Sequence, residues 1–250
     1  MSAMDRGALI RALPYARRYA RALAGQQAAG DAMVADALRA VLAAAPGQGG
    51  LSTDAGARTA LYTAIGDLAP EEPAGAAEVS PLQRRLLLLT ALEEQTLTAA
   101  AAACCLSPEA AELELRLARE HLRSGAAARV LIIEDEPIIA LDIQELVERC
   151  GHSVVGIAST EAEAVEIAEA ERPGLVLADI NLGAGGDGTS AVARILRTVT
   201  TMPVIFVTAY PERLLTGEAL EPAFVITKPF DPTTLAVATY QAVTRGVSPV

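Results

Sequence analysis

The chain has 250 residues, 52% of them apolar, with a formal net charge of −11. Such a length supports one large or two ordinary domains with well-packed cores. The charge argues against general affinity for nucleic acid or anionic membrane, and no apolar run approaches the roughly 18 residues that a bilayer crossing needs.

The acid is unevenly placed. Residues 1–125 hold 12 basic and 14 acidic side chains, a balance of −2, whereas residues 126–250 hold 8 and 17, a balance of −9. Two domains with different work are expected, over 1–125 and 129–250. The start, "MSAMDRGALIRALP", lacks an extended apolar core with a cleavage site, so the cytoplasm is the expected compartment.

The first half reads as helical throughout. Leu9, Ile10, Leu13, Ala16, Ala20 and Leu23 recur at helical spacing, with Pro14 expected to kink or interrupt the first turns. Gly25 and Gly30 are expected to bracket a break before a second helix through Met33, Val34, Ala37, Leu38 and Val41. Arg17, Arg18 and Arg21 form a basic cluster expected at the surface or against acids of the second domain. "PGQGGLSTD" reads as a loop, "GARTALYTAIGDLA" as a third helix and "PEEPAGAAEVSP" as a connector.

A helical block then fills 82–123. Within it "TAAAAACCLSPEAAELELRLAREHL" has the outline of a helix-turn-helix, with Ser107 as N-cap, Pro108 at the first helical position and Glu109 near the positive end of the dipole. Cys104 and Cys105 are expected to fill core space there. With Cys150 they form neither a disulfide framework nor a zinc pattern. Glu109, Glu112 and Glu114 stand where DNA readers usually present Lys, Arg, Asn or Gln, and a carboxylate there faces a polyanion. Glu109, Glu112 and Arg116 suit a basic protein partner better, although Glu112–Arg116 spacing also fits a solvated helix face.

From residue 130 the period changes. "RVLIIED", "HSVVGIAS", "LVLADI", "PVIFVTA" and "AFVITKPF" read as buried strands, alternating with helices at "PIIALDIQELVERCG", "TEAEAVEIAEAERPG", "GTSAVARILRTV" and "DPTTLAVATYQAVTRG". This is the pattern of an α/β doubly wound domain with a five-stranded parallel sheet, whose ligands sit at the carboxyl ends of the strands.

Glu134 and Asp135 end the first strand, Asp179 the third, Thr208 the fourth and Lys228 the fifth. Clustered carboxylates call for a hard divalent cation, Mg²⁺ being the natural choice, held by Glu134, Asp135, Asp179 and the Asn181 carbonyl. Asp179 is then placed to accept a phosphoryl group. Lys228 neutralises its oxygens, Thr208 donates to one, and small Ala209 leaves room beside the acceptor. His121 and His152 have no ligand-spaced companions.

"VLIIEDEP", "LVLADINL", "FVTAYPE" and "ITKPF" together resemble the receiver domain of bacterial response regulators over residues 129–246. The resemblance implies that Asp179 is the phosphoacceptor, that Glu134 and Asp135 hold Mg²⁺, and that Thr208 and Lys228 form the switch. It implies a histidine kinase or phosphotransfer protein as donor and a cis Lys228–Pro229 bond. Three residues before the lysine, where many receivers place a switching aromatic, stands Val225, with Tyr210 and Phe224 as the nearest substitutes.

Residues 9–45 and 82–123 are similar to regions 2 and 4 of extracytoplasmic-function sigma factors. Sigma-like helices followed by this receiver resemble the PhyR family of general stress response regulators. That resemblance implies an anti-anti-sigma factor: phosphorylation exposes the sigma-like helices, which capture a NepR-like anti-sigma factor and free the true sigma factor. No direct DNA or membrane binding and no enzymatic turnover are then expected. Two alternatives stand beside it, a regulator that puts its helix-turn-helix on promoters and a metal-dependent phosphohydrolase with Asp179 as nucleophile.

Overall fold

A computed structural model of the chain describes residues 6–44, 53–69, 79–122, 127–183, 186–199, 202–214, 222 and 224–245. Most of the loop expected over 46–54, of the connector over 70–81 and of the linker after 122 lies outside them. The chain divides into two compact units, Met1–His121 and Leu122–Val250.

The first unit is all helical: α1 (Arg6–Ala24), α2 (Gln27–Ala44), α3 (Asp54–Leu68), α4 (Pro81–Leu87), a π turn over Leu88–Leu92, α5 (Leu97–Ala103) and α6 (Pro108–Leu122). Helix α1 runs unbroken through Pro14, which is exposed. Gly25 ends α1 with φ +73°, but Gly30 lies inside α2 rather than in a break. A Cβ at Gly30 would come within 2.8 Å of the Arg21 backbone, so this glycine lets α2 approach α1 closely.

The arginine cluster is not superficial. Arg21 is fully buried, its guanidinium donating to Asp31 at 2.8–3.0 Å, and Arg17 reaches the same carboxylate at 3.4 Å. Arg18 grips Glu93 with Nε at 2.7 Å and Nη2 at 3.1 Å, and the Tyr62 hydroxyl donates to Glu93 Oε2 at 2.9 Å. Glu93 itself is buried. Its place follows from the π turn, whose wide winding delivers residue 93 to the unit's interior. The cluster's charges are therefore met by acids of its own unit.

Helix α4 adds two further ties. Arg84 Nη2 donates to the Ala22 carbonyl at 2.7 Å, and Arg85 Nη2 to the Ala103 carbonyl at 3.2 Å. Arg84 and the contacts of Arg18 and Tyr62 to Glu93 thus join α1–α3 to α4–α6, while Arg85 ties α4 to α5.

In the second unit, helices alternate with strands: β1 (Arg129–Ile133), α7 (Pro137–Arg149), β2 (Ser153–Ala158), α8 (Glu161–Glu171) and β3 (Leu175–Ala178). A two-residue ribbon follows, β4 (Asn181–Leu182) with β5 (Gly186–Asp187), then α9 (Gly188–Leu196), β6 (Val204–Thr208), a 3₁₀ turn at Pro211–Leu214, β7 (Phe224–Thr227) and α10 (Pro232–Arg245). The main sheet is parallel, in the order β2-β1-β3-β6-β7.

Helices α7 and α10 pack together, as do α8 and α9. Leu131, Val176, Val204, Phe206 and Val225 of the sheet meet Ala164, Ala168, Val192 and Ile195 of α8 and α9 in one buried cluster. Strand order reverses between β1 and β3, so the crevice beyond their carboxyl ends is where such a sheet receives ligands. The described part of the segment after β6 is the 3₁₀ turn, and the rest of the segment before β7 lies mostly outside the described residues.

Candidate functional site

Glu134 and Asp179 are each the first residue beyond β1 and β3, and their amides still belong to the sheet. The Glu134 amide donates to the Ala158 carbonyl at 2.9 Å and the Asp179 amide to the Ile133 carbonyl at 2.8 Å. Neighbouring strands therefore fix both backbones before either side chain acts. Lys228 follows β7, and its amide donates to the Thr208 carbonyl at 2.8 Å, joining the ends of β6 and β7. The Lys228–Pro229 peptide is cis.

The three side chains converge. Lys228 Nζ donates to Glu134 Oε2 and to Asp179 Oδ2, both at 2.7 Å. Lys228 is also the only lysine of the chain; every other basic side chain apart from the two histidines is arginine. One ammonium here stands between two carboxylates, which leaves the group a net negative charge. Burial alone would depress the amine, but its bonds to Asp179 and Glu134 outweigh that and hold it above its ordinary range. Burial raises the Glu134 carboxyl above the usual carboxylate range, with Lys228 opposing.

The other expected residues occupy graded positions. The Asn181 amide donates to Asp179 Oδ1 at 3.3 Å. Thr208 is fully buried, and its Oγ1 accepts the Tyr210 amide at 3.2 Å. Ala209 is exposed, as is Tyr210 at 52%. Phe224 is buried in β7, and strand alternation turns it to the sheet face opposite Val225.

Asp135 departs from expectation. Its Oδ2 accepts the Gly183 amide at 2.8 Å. Among the described residues no three His, Cys, Asp or Glu side chains are gathered closely enough to hold a metal ion. Two of the three expected carboxylates converge; the third is engaged at the start of the β4–β5 tip.

Gly188, unremarked in the sequence reading, also shapes the site. A Cβ there would fall 1.7 Å from the Asp179 carbonyl oxygen, and the Gly188 amide donates to the Ile180 carbonyl at 2.8 Å. Asp187 caps the same helix, its Oδ1 accepting from the Thr189 amide at 2.9 Å. The "DG" pair ahead of an apolar helical run was the available signal.

In the first unit α5 and α6 enclose a turn at 104–107, and the Ser107 hydroxyl accepts the Ala110 amide at 3.2 Å as an N-cap. Cys104 is buried but Cys105 is exposed, in a left-handed conformation with φ +56°. The tight turn points it outward, so only one of the pair fills core space. Glu109, Glu112 and Arg116 are exposed, flanked by Leu113 at 46% and Leu117 at 38%. Glu109's own amide and the Ser107 hydroxyl hold its carboxyl below the ordinary range.

Comparison with known proteins places both units. A family model described as the sigma2 domain of PhyR matches residues 9–66, and the response regulator receiver domain matches 130–240. The phyllosphere-induced regulator PhyR of Methylorubrum extorquens is 42% identical, covering 94% of this chain and 92% of its own.

Two solved structures align over nearly their whole length. The response regulator PhyR from Brucella abortus gives a TM-score of 0.80 at 43% identity, covering 93% of this chain and 91% of that one. The anti-anti-sigma factor PhyR from Bartonella quintana gives 0.82 at 39% identity, covering 95% and 94%. With a sigma2 domain, a receiver domain and full-length identity of this order, the chain belongs to the PhyR family.

Proposed function

We propose that this chain is a phosphorylation-controlled anti-anti-sigma factor. In this reading, residues 1–125 form the sigma-like domain, with a region 4-like helix-turn-helix over 82–123, and residues 129–250 form the receiver. The protein whose structure it resembles in Bartonella quintana is itself described as an anti-anti-sigma factor. Phosphorylation of Asp179 makes the sigma-like domain available to a NepR-like anti-sigma factor, so that the true sigma factor is released. No helix among the described residues is long and apolar enough to cross a membrane; the cytoplasm is the proposed site of action because that is where a sigma factor works.

The observation that carries the reading is the ion-paired triad at the topological switch point, Lys228 between Glu134 and Asp179 at 2.7 Å each. An Asp179 oxygen forms a P–O bond as the P–N bond of a donor phosphohistidine breaks. Lys228, already at that carboxylate, pairs with the new oxygens. Thr208 uses its oxygen to accept the Tyr210 amide and keeps its proton to donate. Tyr210, exposed beyond β6, is the better placed of the two aromatic candidates, since Phe224 is buried on the other sheet face.

The oxygen donors suit a hard divalent cation in kind: Glu134 and Asp179 meet at Lys228, and the Asn181 carbonyl would complete the set from the start of β4. Mg²⁺ would be held by Glu134, Asp135, Asp179 and Asn181, screening charge as the phosphoryl group approaches. Asp179 chemistry is single-turnover and regulatory, so the chain is read as a regulator rather than an enzyme. Moving a switch from 1:99 to 99:1 takes about 5.5 kcal/mol of differential interaction, which the phosphoryl group's contacts in the two states must supply.

Incubation with a small phosphodonor and Mg²⁺, followed by peptide mass mapping, tests the assignment. A single phosphoryl group on Asp179, lost in Asp179→Ala, is expected. Modification elsewhere, or none in the wild type, would remove the trigger.

A further inference from the structure

The contact between Asp135 and Gly183 has its own geometry. A Cβ added to Gly183 would lie 2.6 Å from the Asp135 Oδ2 that the Gly183 amide donates to. The positive-φ glycines among the described residues are Gly25 and Gly151, so backbone conformation does not demand a glycine at 183. What uses the missing side chain is the approach of the carboxylate. The ribbon pairs Asn181 with Asp187 and Leu182 with Gly186, which leaves Gly183 one residue past the ladder, its amide turned to a side chain. At the ribbon's other end the Asp187 amide donates to Glu161 Oε1 of α8 at 3.2 Å, and Asp187 caps α9.

We infer that the Gly183 amide is a built-in competitor for Asp135. It holds Oδ2 of this carboxylate out of the group formed by Glu134 and Asp179, and Asp135 brings that oxygen to a divalent-cation site by giving up the bond. The inference rests on the cation-dependent reading of the site proposed above. A hydrogen bond to a charged acceptor is among the stronger kinds, so its loss is a real cost of recruiting Asp135. Because the amide and the cation compete for one oxygen, weakening that bond strengthens cation binding, by at most the factor by which the bond is weakened. Recruitment of Asp135 also frees the Gly183 amide just past β4, while β5 is tied to α8 and α9 through Asp187. Cation binding is thereby linked to a segment that the carboxylates themselves do not form.

Gly183→Ala isolates the effect. The added methyl keeps the amide but displaces the end of a flexible side chain, and Asp135 is pushed off. The full-length chain, without phosphodonor, is titrated with Mg²⁺ at constant ionic strength by calorimetry, and hydrogen exchange at the Gly183 amide is followed in the wild type.

Gly183→Ala is expected to bind Mg²⁺ about tenfold more tightly, equivalent to about 1.4 kcal/mol. The wild-type Gly183 amide is expected to exchange faster at saturation. Equal or weaker binding by the variant overturns the inference. So does an amide whose exchange is unchanged by saturating Mg²⁺, a readout that stands even if the variant fails to fold. A wild type that binds no Mg²⁺ overturns the cation reading and this inference together; a wild type that binds while the variant's affinity is unchanged overturns the inference alone.

Discussion

Each unit of this chain contains a buried cluster of carboxylate and cation, and the two clusters are built to different ends. In the helical unit Glu93 receives a two-pronged guanidinium from Arg18 and a hydroxyl from Tyr62. One negative charge meets one positive charge, and the planar fork fixes the geometry. In the receiver unit one flexible ammonium is shared by two carboxylates. The first cluster is balanced and closed; the second carries surplus negative charge at the mouth of a parallel sheet. Burial of an ion pair is therefore no sign of function by itself. Charge stoichiometry and position at the strand ends separate a lock from a trigger.

The comparison breaks most sharply at Glu93. Glu93→Ala leaves the Arg18 guanidinium buried and unpaired, a loss of about 3–5 kcal/mol for such pairs, read by urea unfolding of the full chain. Phosphorylation of Asp179 should survive in whatever fraction stays folded. A Glu93→Ala chain of unchanged stability would show that the lock is no lock.

Gly188→Ala is next, because its methyl group would collide with the Asp179 carbonyl at 1.7 Å. Overpacking of this kind costs about 1–3 kcal/mol, and Asp179 should be phosphorylated more slowly because its backbone must shift. Normal phosphorylation with normal stability would mean that the β3–α9 junction is looser than described.

The smallest effect sharpens the contrast in cations. Lys228 is the only lysine, so selective ¹³C-lysine labelling yields one side-chain signal to titrate. Its amine should titrate above the ordinary lysine value of 10.5 and fall back toward it in Asp179→Asn. The sign follows from linkage: a cation whose folded pKa is raised contributes stability in full below about pH 10.5, and loses it as pH rises through the folded value. Arg18, held above its ordinary value by Glu93 against burial, keeps its charge across that range. Titration of Lys228 at or below 10.5 would place it outside the triad.

The strand ends were legible in the sequence because period, β-branched runs and terminal polar residues all fall within a few positions of one another. Glu134, Asp179 and Lys228 meet as that pattern implies. What was not legible depends on partners far along the chain. Arg18 finds its carboxylate 75 residues away, beyond a π turn that leaves no periodic mark, so a cluster at the surface or against acids of the second domain is the natural expectation. A glycine in a helical pattern looks like a break, whereas Gly30 is a crossing point against Arg21. Asp135 was grouped with its neighbour Glu134, but adjacent residues at a strand end point in different directions, and the Gly183 amide claims one of them.

The central claim is that the charge state of Asp179 governs capture of a protein partner by the sigma-like helices. It is tested most directly by measuring the affinity of an anti-sigma factor for wild type and for Asp179→Ala, each with and without phosphodonor and Mg²⁺. The account predicts a large gain in affinity on phosphorylation of the wild type and no gain for the variant. Asp179→Ala binding as tightly as the phosphorylated wild type would contradict it.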